Sequence, residues 1–129
     1  MDTRNDAGPA PAVSVAVAQG AFNAVGGLWP LLHRRSFEWV FGRKTDAWLQ
    51  TTTGGLLVSV GATQLAAARD PDGPAHARLI GLGTALTLLA VDLANVPTGR
   101  IRPTYLLDAA LEAGWIFAWL RARPAPEPR

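Results

Sequence analysis

Four stretches of the chain are apolar for long enough to read as continuous helix, and the polar residues within them recur at helical spacing. No charged residue occurs from Ala7 to His33, and none from Ala47 to Ala68. A bilayer core of about 30 Å takes roughly 20 residues of helix, so both stretches are long enough to span. A third stretch, Leu79 to Val96, carries one charge, Asp92, and a fourth, Pro103 to Leu120, carries two, Asp108 and Glu112. A soluble four-helix bundle needs a charged stripe along each helix, which the first two stretches lack. The pattern predicts an all-α fold: an integral membrane four-helix antiparallel bundle filling residues 12–120, with helices over about 12–32, 46–68, 78–96 and 103–121. Residues 1–11 and 122–129, polar and Pro-containing, read as disordered tails. The first stretch contains Gln19 and Asn23 and lacks a small-residue cleavage site, so it is expected to be a retained helix and not a signal peptide.

The connections differ in character. HRRSFEWVFGRKTD is too long for a tight turn. Ser36 is positioned to cap a short helix over 37–41 that Gly42 closes, and Thr45 to cap the second span, with Asp46 in its first turn. Three aromatics flanked by Arg34, Arg35, Arg43 and Lys44 suit a helix lying in the headgroup layer. RDPDGPAHAR reads as a plain loop, and the short link over 97–102 makes the third and fourth helices antiparallel neighbours. With four spans both termini lie on one side, A, and the 1–2 and 3–4 connections on the other, B. Basic residues divide evenly between the sides, so orientation rests on the tendency of even-span proteins to keep both termini in the cytoplasm.

Each predicted span gathers its polar groups on one face: Gln19 and Asn23; Gln50, Thr53, Gly61 and Gln64; Thr84, Asp92 and Asn95; Tyr105, Asp108, Glu112, Trp115 and Trp119. Polar groups turned to lipid go unsatisfied, so the four faces should meet. Asp92 lies about one turn before its helix exits on side B, and Asp108 about one turn after the next helix enters there. At about 1.5 Å per residue each is roughly 6 Å deep, and Glu112 is one turn deeper. Gln50 and Thr53 share the side-B half and Asn23 is near mid-depth, which defines a polar cavity toward side B fringed by Trp29, Trp48 and Tyr105. Two readings of the acids stay open. They are packing glue, paired with Arg43, Lys44, Arg100 or Arg102, or they are a binding or proton-handling site, since carboxylates inside a membrane are costly and crowded ones repel.

Composition narrows the chemistry. Cysteine is absent, which removes disulfides and thiolate ligands. The two histidines, His33 and His76, fall in predicted loops without partners at metal-ligand spacing, and no metal or other cofactor is expected. The net charge of +2 is too small, and its arginines too dispersed, for nucleic-acid binding. Eleven arginines to one lysine, with abundant Ala, Gly and Pro, fit a GC-rich bacterial genome and hence a bacterial inner membrane. Trp115 and Trp119 read as an aromatic belt on side A, and Trp29, Trp39 and Trp48 as its match on side B. Gly54, Gly55, Gly81 and Gly83 lie mid-span, where they read as close-packing positions. No nucleophile–base pair, Walker loop or histidine box is present.

The segments GLWPLLHRRSFEWVFGRKTDAWLQTT and IRPTYLLDAALEAGWIFAWL resemble a group of small bacterial four-span membrane proteins with no assigned activity. The resemblance covers most of residues 20–120 and implies a membrane fold and nothing catalytic. Three functions follow from the sequence. The first is a non-enzymatic membrane protein whose cavity takes a small lipophilic or cationic ligand, or a proton. Its residues would be Asp92, Asp108, Glu112, Asn23, Gln50, Thr53, Asn95, Trp48 and Tyr105. The second is an accessory subunit of a larger membrane complex, or a homo-oligomer. The third is a membrane enzyme with an intramembrane carboxylate as general acid or base.

Overall fold

The computed structural model describes residues 10–43 and 46–123. Among these the chain is entirely helical: α1 (Pro11–Leu32), α2 (Arg34–Phe41), α3 (Ala47–Ala67), α4 (Gly73–Asn95) and α5 (Tyr105–Arg121). Most of both predicted tails, the Thr45 cap and Lys44 lie outside the described residues. Two of the helices are long and apolar enough to cross a membrane: α1, with mean hydropathy 1.3, and α4, with 1.6. The other two long helices are diluted by polar residues, α3 by Thr, Gln and Ser, and the 17-residue α5 by Asp108, Glu112 and Arg121.

The α1–α3 contact is the most extensive in the molecule and is made by glycine. Gly20 faces Gly61 and Gly27 faces Gly54, so that a Cβ on any of the four would press into backbone of the opposite helix. The pairs run in opposite order along the two helices, which makes the packing antiparallel, and two turns separate them on each helix. Small residues at this spacing let backbones approach closely, the usual means of joining helices where lipid offers no hydrophobic drive. Gly54 and Gly81 are close-packed as the sequence suggests. Gly55 and Gly83 have open space instead.

The α4–α5 pair is also antiparallel, with Arg78 Nε donating to the Trp119 carbonyl at 3.3 Å near one end and Asp92 beside Asp108 near the other. Helix α4 begins at Gly73, five residues before the predicted start. Pro74 occupies the first turn, where its missing N–H costs nothing, and Asp70 supplies the turn by accepting from the Asp72 and Gly73 amides. Gly73 is required there because a Cβ would collide with the Ala67 backbone. Helix α5 starts two residues later than predicted, with Pro103 and Thr104 in the turn before it.

Helix α2 is the short amphipathic helix of the 1–2 connection, but Ser36 does not cap it. It starts at Arg34, and the His33 imidazole Nδ1 accepts the Ser36 N–H at 3.2 Å as the cap. Gly42, with φ 95°, closes it. An aromatic cluster seats it across the bundle end: Trp29 with Phe37 at 5.4 Å, Phe37 with Phe41 at 5.0 Å, and Phe41 with Tyr105 at 4.7 Å. Thr104 Oγ1 and Arg102 Nη1 donate to the Val40 and Trp39 carbonyls and tie it to the α4–α5 connection.

Candidate functional site

The polar faces of the four long helices do meet, and they form two systems of opposite character. The first is closed. Gln19 Oε1 accepts from Gln64 Nε2 at 2.8 Å and from Trp119 Nε1 at 2.6 Å, and Gln19 Nε2 donates to the Gly81 carbonyl at 3.1 Å. Gln64 Oε1 accepts from Asn23 at 2.9 Å, and Gln64 Nε2 also reaches the Ala77 carbonyl at 3.3 Å. One network thus bonds α1, α3, α4 and α5 together. All of its side chains are buried, and Gly81 leaves the room that the Gln19, Gln64 and Trp119 polar atoms occupy. Two expectations are corrected here. Asn23 belongs to this lock and not to the cavity. Trp119 is not in an aromatic belt: it is fully buried, and Trp115, half-buried, packs against Phe22 with ring centroids 5.5 Å apart and the planes tilted by 52°. Sequence cannot separate these cases, since a Trp near a helix end looks the same whether its indole faces headgroups or an interior acceptor.

The second system is open and unsatisfied. Below the α2 end lies a cavity of about 500 Å³ walled by Gln50, Thr53, Asp92 and Tyr105, with Arg43 and Arg100 exposed at its rim. Asp92 is buried, and its Oδ2 has no hydrogen-bond partner in the protein. The buried amide nitrogen and oxygen of Gln50 also have none. Asp108, half-buried on α5, stands within hydrogen-bonding distance of Asp92, so that one proton or one donor can bridge the two. Glu112 is fully buried one turn along, in the electrostatic field of both aspartates, and neither of its oxygens is bonded. The indole N–H of Trp115, a further turn away, is likewise unpartnered.

Of the residues singled out from sequence, Gln50, Thr53, Asp92 and Tyr105 come together at the cavity, with Asp108 and Glu112 behind them. Three do not join it. Asn23 is in the lock, Asn95 donates to the Val91 carbonyl of its own helix at 2.7 Å, and Trp48 is 70% exposed and turned outward. Among the described residues the acids form no ion pair with Arg43, Arg100 or Arg102; the ion pair there is Arg34 with Glu38 at 3.0 Å. Nor does any group of three His, Asp or Glu side chains converge tightly enough to hold a metal ion among those residues. The sequence reading named Arg43 and Arg100 only as pairing partners of the acids and missed Asp46 as a wall of the cavity, because loop charges acquire a depth only once α2 has folded over the bundle end.

Comparison with protein-family models, with curated proteins and with solved structures finds no match. The likeness to small four-span bacterial proteins therefore gains no support, and functional conclusions rest on the geometry alone.

Proposed function

We propose that the chain is a four-span integral membrane protein of a bacterial inner membrane, and that its cavity at the α2 end binds a small ligand carrying a positive charge. The membrane part is supported by an inverted distribution of residues. Among the described residues twenty large apolar side chains are exposed, and the one large apolar residue in the interior is Trp119. The remaining interior of the described residues is Ala and Gly with Pro30, Gln19, Asn23, Gln64, Asp92 and Glu112. Water would drive the opposite arrangement. The exposed set includes Leu49 and Leu56 on α3 and Leu107, Leu111 and Phe117 on α5, so all four long helices share it although two of them are less apolar overall.

A cysteine-free chain makes the topology directly testable. Single cysteines at Ser36 and Thr98 are expected to label from one side of the membrane and one at Asp72 from the other, the cytoplasmic side if both termini lie there. A cysteine at Leu56 or Leu111 should be shielded from water-soluble maleimide in vesicles. Labelling of all five positions from one side would end the four-span reading.

The ligand part is carried by one observation: buried Asp92 is part of the cavity wall, and its Oδ2 has no hydrogen-bond partner in the protein. A buried acceptor left unmade costs about 1–3 kcal/mol. A cation with N–H donors would satisfy it together with the Gln50 oxygen, and Asp108 and Glu112 add negative potential behind. Passage of a proton across the bundle is the weaker reading. Beyond Glu112 the polar column continues in amides and indoles, which hold fixed hydrogen bonds and do not titrate. Asp92→Asn is expected to lower the affinity for a fluorescent alkylamine at least tenfold, while the Tm in detergent stays within a few degrees. Unchanged affinity in a folded variant overturns the assignment.

A further inference from the structure

The polar cavity does not end at Thr53 and Leu57. Those two residues, one turn apart on α3, also wall a second cavity of about 550 Å³ along the same α3–α4 seam. Its other walls are mainly aliphatic, with Leu56 and Val60 from α3 and Leu79, Ile80 and Leu88 from α4 beside Thr84 and Thr87. The two cavities differ sharply in chemistry. One has guanidinium groups at its rim and a buried, unbonded carboxylate in its wall; the other is an apolar trough reaching as far as His76 near the opposite end of α4. From Leu88 to His76 the trough follows about 18 Å of helix at 1.5 Å per residue, close to the acyl layer of one leaflet, which is half of about 30 Å.

We infer that the pair of cavities is a single site for a phospholipid with a primary-ammonium headgroup, its tail in the α3–α4 trough and its head in the polar cavity. This rests on the reading of that cavity as a cation site and specifies the ligand. The head must supply N–H donors to the two unsatisfied acceptors, Asp92 Oδ2 and Gln50 Oε1, and an oxygen acceptor, which a phosphate provides, to the equally unsatisfied Gln50 Nε2. A primary ammonium has three such donors and a quaternary one has none. The exposed Arg43 and Arg100 then meet the phosphate, for which guanidinium forks are suited. An ammonium without a phosphate would leave two arginines beside the bound charge, with the exposed Asp46 carboxylate offsetting only one of them. An anionic lipid without an amine would leave the Asp92 oxygen unbonded and add repulsion. Sparse contact between α3 and α4, compared with the α1–α3 and α4–α5 pairs, leaves room for the tail.

The full-length protein in detergent is titrated with dioctanoyl phosphatidylethanolamine, dioctanoyl phosphatidylcholine and glycerophosphoethanolamine. The first is expected to bind at least tenfold more tightly than either of the others, since phosphatidylcholine lacks the N–H donors and glycerophosphoethanolamine lacks the tail. Asp92→Asn should remove the preference between the two lipids. Arg43→Gln with Arg100→Gln, both on the surface and so independent of folding, should weaken phosphatidylethanolamine about tenfold and leave the alkylamine no weaker, since two like charges beside its ammonium are gone. Equal binding of the two lipids overturns the inference, as does indifference of phosphatidylethanolamine to the arginine pair. If the alkylamine still depends on Asp92 in that case, the cation site stands and the lipid assignment alone falls. If neither ligand senses Asp92, both fall.

Discussion

Gly61→Val is expected to cost more stability than any other single substitution in the α1–α3 contact, lowering the Tm of the purified protein by more than about 10 °C. A Cβ at this position falls against the Gly20 carbonyl and the Ala24 backbone, none of which can rotate away as a side chain would. Overpacking a tight interior costs about 1–3 kcal/mol when neighbours can shift. Here the whole of α1 must move, and its displacement pulls Gln19 and Asn23 away from Gln64, so the loss sits at or above the upper end of that range. A shift of 1 kcal/mol corresponds to about 4–8 °C for a domain near this size. Gly55→Val is the matched control. A Cβ there meets nothing within 4 Å, and the Tm should change by no more than a degree or two. Equal losses at the two positions would show that glycine is needed in α3 for backbone reasons and not for the α1 contact.

The contrast between Gly61 and Gly55 illustrates what the sequence could and could not disclose. Helix positions were legible because apolar length and absence of charge report directly on them, and α1 and α3 begin and end within a residue of the pattern. The start of α4 was not legible, because DPDGP has the composition of a loop whether or not its proline opens a helix. Polar faces were legible at helical spacing, but their partners were not. Asn23 and Asp92 look alike as polar residues inside apolar helix, yet Asn23 bonds Gln64 while an oxygen of Asp92 bonds nothing. That division depends on which helix sits opposite at each depth. It is fixed by the glycine register of α1 on α3 and by the α2 cap, neither of which leaves a mark at the acid positions themselves.

The two polar systems also respond in opposite directions to the same kind of change, and this gives the second large effect. Glu112→Leu is expected to raise the Tm, by roughly 5 °C or more, whereas Gln64→Leu should lower it by a similar amount. Gln64 donates to Gln19 and to the Ala77 carbonyl and accepts from Asn23, so its loss takes a partner from buried groups on two other helices, α1 and α4. Each stranded group costs about 1–3 kcal/mol. Glu112 has already incurred such a cost, since both of its oxygens are buried and unbonded, and leucine fills a similar volume without it. Replacing buried, imperfectly matched charge by an apolar residue is often neutral or stabilising. Natural chains keep such groups where function needs them, at the expense of stability. Glu112→Leu should therefore also weaken alkylamine binding severalfold, by removing one of the acids whose field reaches Asp92 and Asp108. A more stable protein with a poorer site would identify Glu112 as part of the binding machinery. A loss of stability as large as that of Gln64→Leu would make it a structural residue, and the acids would then belong with the lock.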